Sequence, residues 1–209
     1  MVDIVTIGHL THDHLRVDGR SLSQSLGGTA AYVSAVLGNL GAKPGVVTRV
    51  GPDFQFKTNL REMEIDLSGF RVSKAKTTTF ENIYDSGGRR TQWLRQKCDN
   101  ITLEDIPPTY FNAKAFHLGG LAGEVDPAIA REARKRGILT SLDVQGYCRA
   151  FDAEGSVRIS GWEEADQVCK YIDVLKADID EAKRVSHRSS LEEIMPFFWD
   201  CGVSVVLLT

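Results

Sequence analysis

The sequence predicts an α/β fold: a doubly wound, mostly parallel sheet with helices on both faces and a small β-rich insertion. Three observations predict it. Short apolar runs, most of them closed by glycine or a charged residue, recur at DIVTIG (3–8), GVVTRVG (45–51), AFHLGG (115–120), ILTSLD (138–143), IDVLK (172–176) and VSVVLLT (203–209). From residue 115 onward they alternate with segments of helical apolar spacing, the pattern of βαβ units. Between residues 69 and 97 the composition shifts to Thr, Tyr, Phe and Trp in period-two alternation, broken by Ser86-Gly87-Gly88. Runs that are apolar on both faces belong to a buried parallel sheet, so the main architecture is Rossmann-like.

The elements follow in order. DIVTIG is a buried strand. HLRVDGRSL (14–22) places an Asp-Gly turn between two β-like pieces, a hairpin signal. SLGGTAAYVSAVLGNLG (25–41) sets Gly27 and Gly28 before a helix over 28–40, with Gly41 as its stop. The twin glycine is either a plain turn or a point where something approaches the backbone closely. GVVTRVG is a second buried strand. DFQFKTNLREM (53–63) is expected to be a helix capped by Asp53. The 69–97 stretch is a hairpin or meander. DPAIAREARKRG (126–137) has Pro near its start and Gly at its end, the asymmetry of a helix. Helices are expected over 161–171 and 178–186, and over 190–202 with an interruption at Pro196. The final strand, 203–209, runs to the end of the sequence, so the expected domain of 1–209 is incomplete at its C-terminus.

Composition excludes several classes of function. The chain has 209 residues, 42% hydrophobic and 25% charged, with a net charge of −3. That charge provides no basis for binding nucleic acid. No apolar run approaches the ~20 residues of a membrane span, and MVDIVTIGHL lacks the basic start of a secretion signal. The four cysteines are scattered with no CxxC pair, so a reducing, cytoplasmic setting is expected and no tightly bound metal. GxxxxGK[ST], GxGxxG and GxSxG are all absent.

In an open parallel sheet, ligands bind beyond the carboxyl ends of the strands. The residues that follow the predicted strands are His9, Thr11, His12 and Asp13; Gly119 and Gly120; Asp143, Gln145 and Gly146; and Lys176, Asp178 and Glu181. These polar and glycine-rich segments are expected to share one rim. Asp13 can also be read as a turn former and Asp178 as a helix cap. His117, Trp93 and Trp162 are read as packing residues.

Taken in order, the first strand, the Asp-Gly hairpin, LGGTAAYVSAVLGNLGAKPGVVTRVGPD, the β-insertion, LDVQGYCR and DVLKADIDEA resemble the ribokinase-like (PfkB) family of sugar and nucleoside kinases. The likeness covers the whole chain. It implies a ribokinase-like fold in which 12–22 and 69–98 form a β-sheet lid over the substrate. It implies ATP and Mg²⁺ as cofactors and phosphorylation of a hydroxyl on a small sugar, inositol or nucleoside. Asp13 then hydrogen-bonds substrate hydroxyls, Gly27 and Gly28 line the substrate, Tyr32 stands where the family commonly has Asn, and Arg95 stands where some members place a lid arginine. Asp178 and Glu181 fall on the family's Asn-x-x-Glu motif for magnesium and phosphate, with Asp replacing Asn. The resemblance also implies a homodimer through the lid. The family's Gly-Ala-Gly-Asp stretch, with its catalytic base and anion hole, is absent from 1–209, so no catalytic residue is assigned in this chain. A non-catalytic sugar-binding pseudo-kinase is the alternative reading. A nicotinamide-dependent oxidoreductase has little support without the dinucleotide fingerprint.

Overall fold

The structure is a computed structural model that describes residues 1–18 and 20–209. The first strand, β1 (Ile4–Ile7), leads into a hairpin of β2 (Thr11–Val17) and β3 (Arg20–Gly27), followed by helix α1 (Thr29–Asn39). Next come β4 (Pro44–Val50), α2 (Lys57–Glu62), β5 (Asp66–Val72), β6 (Thr79–Tyr84) and β7 (Arg90–Gln96). The second half runs β8 (Ala115–Leu118), α3 (Ala128–Lys135), β9 (Leu139–Asp143), β10 (Arg149–Phe151), β11 (Val157–Ile159), α4 (Ala165–Cys169), β12 (Val174–Ala177), α5 (Ile179–Ser186), α6 (Leu191–Asp200) and β13 (Val205–Leu208).

Seven strands form one sheet in the order β13-β12-β9-β8-β1-β4-β5, and every pairing in it is parallel. The chain winds outward from β1 to β4 and β5, then returns and winds the other way from β8 to β13. The point of reversal lies between β1 and β8, where open α/β sheets place their ligands. Alternate residues of β4 show that both faces are covered. Val46 and Val50 pack with Ala30 and Ala31 of α1 and Leu60 of α2. Val47 joins the opposite core, with Ile129 and Ala133 of α3, Val185 of α5 and Phe198 of α6.

The second sheet has four strands in the order β3-β2-β6-β7, with β2 and β6 parallel and both hairpins antiparallel. Its first hairpin turns at Asp18, which has φ +45°; Gly19 of the Asp-Gly signal lies outside the described residues. Its second hairpin is closed by Asp85, whose Oδ1 accepts from the amides of Gly87 and Arg89 at 3.0 and 2.9 Å.

Several boundaries differ from the sequence expectation. Residues 69–72 are not part of the small sheet. They belong to β5, which pairs with β4 and directs Leu67 and Phe70 toward the α1 core. The small sheet therefore draws on Thr11–Gly27, wider than the expected 12–22, and on Thr79–Gln96, narrower than the expected 69–98. Asp53 does not cap α2. Its Oδ1 accepts from the Thr77 amide and hydroxyl, both at 2.9 Å, and the helix starts later, at Lys57. Helix α6 continues through Pro196 without interruption. The β10–β11 hairpin was not anticipated from the sequence.

Candidate functional site

The strand ends converge at the switch point because glycines let them. A Cβ on Gly8 would sit 2.4 Å from the Gly119 carbonyl oxygen, and one on Gly146 would sit 2.3 Å from the Gly120 carbonyl carbon. Three loops thus touch backbone to backbone, and Lys176 reaches Asp143 at 3.4 Å across the next strand pair. The expected shared rim is present.

Above it lies a cavity of ≈ 220 Å³ between the main sheet and the small sheet. Thr11, Asp13, Gly28, Tyr32, Asn82 and Arg149 line it, with Arg90, Gln92 and Leu121 completing the wall. A second cavity of ≈ 410 Å³ shares Arg90, Gln92, Gln145 and Arg149 with the first and extends to Asp178 and Glu181. The two make one cleft, carboxylate-lined at each end and arginine-lined in the middle.

Asp13 sits on β2, and its Oδ1 accepts from the Thr11 hydroxyl at 2.7 Å. Burial pushes its carboxyl above the usual range, with the Thr11 bond and the charges of Arg90 and Arg149 opposing. Gly27 faces Asp13 across the hairpin. A Cβ there would lie 2.3 to 2.5 Å from all three carboxyl atoms. Gly28 has φ +97° and ψ 140°, and a Cβ would come within 2.3 Å of the His9 carbonyl oxygen. That answers the question the twin glycine raises. Gly27 makes room for the Asp13 carboxylate, and Gly28 makes room for the backbone of the β1–β2 link. Gly28 lines the cavity; Gly27 acts one layer behind it. Tyr32, on the first turns of α1, lines the cavity and is 61% exposed, so its ring stands at the mouth.

Arg149 is the best placed cation. It borders both cavities, hydrogen-bonds the Gln145 side chain, and its guanidinium carbon lies 5.8 Å from the Phe80 ring centroid. Burial pulls its pKa down, with the charge of Glu181 opposing. Arg95 is not in the cleft. It pairs with Glu81 at 2.5 Å and lies over the Trp93 ring, on the opposite face of β7 from Gln92. Strand parity carries this information: Arg95 shares parity with Trp93, whereas Arg90 and Gln92 point to the cleft.

Asp178 and Glu181 form a reciprocal cap on α5. Asp178 Oδ1 accepts from the Glu181 amide at 2.8 Å, and Glu181 Oε2 accepts from the Asp178 amide at 2.9 Å. Burial raises the Glu181 carboxyl above the usual range. Each carboxylate keeps one oxygen outside the box and both residues line the second cavity, so the capping and ligand-binding roles are compatible. No group of three or more His, Cys, Asp or Glu close enough to hold a metal ion occurs among the described residues. His12 and His14, spaced as an H-x-H pair, do not form such a group: His12 stacks on Phe54 at 5.8 Å, away from the cleft. His117 is packed in the sheet with Ser141 at 2.8 Å, and Trp162 stacks on Tyr147 at 4.7 Å.

Beneath the rim is Glu124, which the sequence reading missed. Its fully buried carboxylate accepts from the amides of His9 (3.1 Å), Leu121 (2.9 Å) and Ala122 (2.7 Å). Burial opposes ionisation, but those amides donate to the carboxylate and favour its charged form.

The order of these parts is that of a known family. The profile of the pfkB family of carbohydrate kinases matches residues 1–209. The chain belongs to the pfkB family. Among its relatives is inositol 3-kinase of Arabidopsis thaliana, 29% identical over 189 residues, covering 86% of this chain and 51% of that protein. Inositol 3-kinase of Oryza sativa subsp. japonica is 31% identical over 200 residues, 88% of this chain and 49% of that protein. Cytidine kinase of Thermococcus kodakarensis is 35% identical over 131 residues, 59% of this chain and 45% of that protein. The pfkB chain described here thus spans about half the length of these curated relatives. Among solved structures, a pyrophosphate-dependent kinase in the ribokinase family superposes with a TM-score of 0.85 at 26% identity, over 99% of this chain and 72% of that one. A structure of such a kinase with a pyrophosphate analog and myo-inositol gives a TM-score of 0.83 at 25% identity, over the same 99% of this chain and 72% of that one. No helix of the described residues is long and apolar enough to cross a membrane.

Proposed function

We propose that this chain carries the acceptor half of a kinase that transfers a phosphoryl group from ATP to a hydroxyl of a small polyol: a sugar, an inositol or a nucleoside. The observation that carries this reading is the partly buried Asp13 carboxylate in the wall of the smaller cavity. A carboxylate accepts from two neighbouring hydroxyls at once, which suits a polyol and not an apolar ligand. Asn82 and Gln92, hydrogen-bonded to each other at 2.9 Å, supply amide groups from the next two strands of the same sheet. Curated relatives named inositol 3-kinase and cytidine kinase support the same class.

The acceptor lies under the small sheet, which serves as its lid, with Gly28 as the floor and Tyr32 at the mouth. Arg90 and Arg149 stand where the two cavities meet and neutralise the phosphoryl group as it passes between donor and acceptor. Phosphoryl transfer depends chiefly on such positioning and charge stabilisation. Asp178 and Glu181 bear on the donor side. Their oxygens outside the capping box would accept from waters of a Mg²⁺ ion carried by the donor phosphates, the mode this ion favours. The ion would neutralise phosphate charge there. β3 is the outer strand of the small sheet, and its edge is where a second copy would pair to form a dimer in the cytoplasm.

The test is a coupled assay on the full-length enzyme with ATP and Mg²⁺ against a panel of sugars, inositols and nucleosides. Inorganic pyrophosphate serves as a second donor, because one structural relative uses it. Acceptor-dependent product formation is expected. Polyol binding without any transfer would instead favour the pseudo-kinase reading, and neither binding nor transfer would refute both.

A further inference from the structure

Four stretches of chain connect the small sheet to the main sheet: residues 8–10 before β2, Gly28 after β3, residues 73–78 before β6, and the residues after β7 from 97 onward. One fully buried residue, His9, belongs to the first of these and touches the other three, Thr78 and Asp99 through its ring and Gly28 through its backbone carbonyl. Its Nδ1 lies 2.7 Å from the Thr78 hydroxyl, and its Nε2 lies 3.0 Å from the Asp99 carbonyl oxygen. A carbonyl only accepts, so Nε2 carries the proton and Nδ1 accepts from Thr78. The Thr78 oxygen in turn accepts from the Cys98 amide at 2.9 Å. The His9 carbonyl oxygen packs against Gly28 so closely that a Cβ there would lie 2.3 Å away. The His9 amide donates to the buried carboxylate of Glu124 at 3.1 Å, and that carboxylate is itself fixed by the loop after β8. Burial keeps the imidazole neutral, which this pattern of one donor and one acceptor requires.

We infer that His9 is a positioning residue: it joins the four connections into one unit anchored on Glu124, and so sets the small sheet over the cleft. The consequence for Asp13 is direct. Asp13 is four residues along the same connection, on a sheet whose tilt decides how far its carboxylate stands from Gly28 and Leu121 across the cavity. The part of the inference that concerns ligand rests on the acceptor-site reading above.

The experiment compares wild type with His9→Leu, His9→Asn and His9→Gln, by amide hydrogen exchange and by calorimetric titration with myo-inositol, ribose and cytidine. Asn retains an oxygen near the Nδ1 position and can keep the Thr78 bond. Gln retains an amide N–H near the Nε2 position and can keep the Asp99 bond. Loss of both bonds in His9→Leu is expected to speed exchange in β2 and β6 by about tenfold or more while β8 and β9 keep wild-type protection. It is also expected to weaken binding of whichever acceptor the wild type takes by about tenfold, with Asn and Gln intermediate in both readouts. If His9→Leu does not fold, the Asn and Gln variants decide by the same localisation. Faster exchange spread evenly over both sheets, or unchanged exchange in β2 and β6, would overturn the inference. If the wild type binds none of the compounds, the acceptor reading fails, and the exchange pattern still judges His9 separately.

Discussion

Replacing each of the twin glycines by alanine separates two roles that sit side by side. At Gly28 the backbone has φ +97° and ψ 140°, a region that side chains other than glycine rarely occupy. Holding alanine there costs about 1–3 kcal/mol. The added Cβ would also press to 2.3 Å from the His9 carbonyl oxygen, a backbone atom that Glu124 and the β1–β2 link keep in place. A total near 3 kcal/mol, at ~2–4 °C per kcal/mol for a chain of this size, lowers the melting temperature by about 6–12 °C. At Gly27 the atoms in the way are Cγ, Oδ1 and Oδ2 of Asp13, all at 2.3 to 2.5 Å. These form the end of a side chain, and they can rotate away. The cost in stability is then about one hydrogen bond, the 2.7 Å contact with Thr11, or ~1 kcal/mol. The cost in binding is larger, because a displaced Asp13 loses a charged hydrogen bond to the acceptor, worth ~1.5–3 kcal/mol or roughly 10- to 100-fold in affinity. Differential scanning fluorimetry and polyol titration on both variants read out the two effects. Gly28→Ala melting within ~1 °C of wild type, or Gly27→Ala binding polyol as wild type does, would refute the division of roles.

Other expectations follow from the same geometry. Arg149→Met should cut transfer by the full-length enzyme about 100-fold while leaving acceptor affinity within about threefold, whereas Arg95→Ala, which removes an ion pair on the outer face, should change neither. Burial raises the Asp13 carboxyl in the folded protein, so the folded state binds more protons than the unfolded one and stability falls as pH rises through the folded pKa. Asp13→Asn should therefore melt higher than wild type at pH 7, with the gap closing at a pH below the unfolded carboxylate pKa of ~3.9, while polyol binding is lost at every pH. Asp178→Ala should cost about 0.5–2 kcal/mol through the α5 cap, seen as a lower denaturation midpoint in urea, together with weaker binding of donor phosphates.

Much of the main sheet is legible in the sequence because buried parallel strands are short, largely apolar runs that stop at a glycine or a charged residue. AFHLGG and ILTSLD need no partner to be recognised. The boundary of the small sheet is not legible, since β5 and β6 are both short mixed polar and apolar strands and only the packing of Leu67 and Phe70 in the α1 core separates them. Asp13, Asp178 and Glu181 can be picked out because they follow strand ends and Gly28 because a twin glycine precedes a helix, whereas Tyr32 comes only from the family resemblance; all five line the cleft. Arg95 misleads because a motif position was weighed without its strand parity. Arg149 lies on β10, a short strand in a polar segment with no apolar period to announce it. Glu124 escapes, and His9 is legible as a rim residue but not as a buried link, because a charged or polar side chain at 0% exposure is visible only once the loops that bury it are assembled. Asp53 looked like a helix cap, but its partner, Thr77, is 24 residues away.

The central claim is that this cleft holds a polyol through Asp13. It is tested most directly by calorimetric titration of the 209-residue chain and its Asp13→Asn variant with myo-inositol, ribose and cytidine. The account predicts saturable binding of at least one of them to the wild type and none to the variant. Equal binding to both proteins, or no binding of any polyol to the wild type, would contradict it.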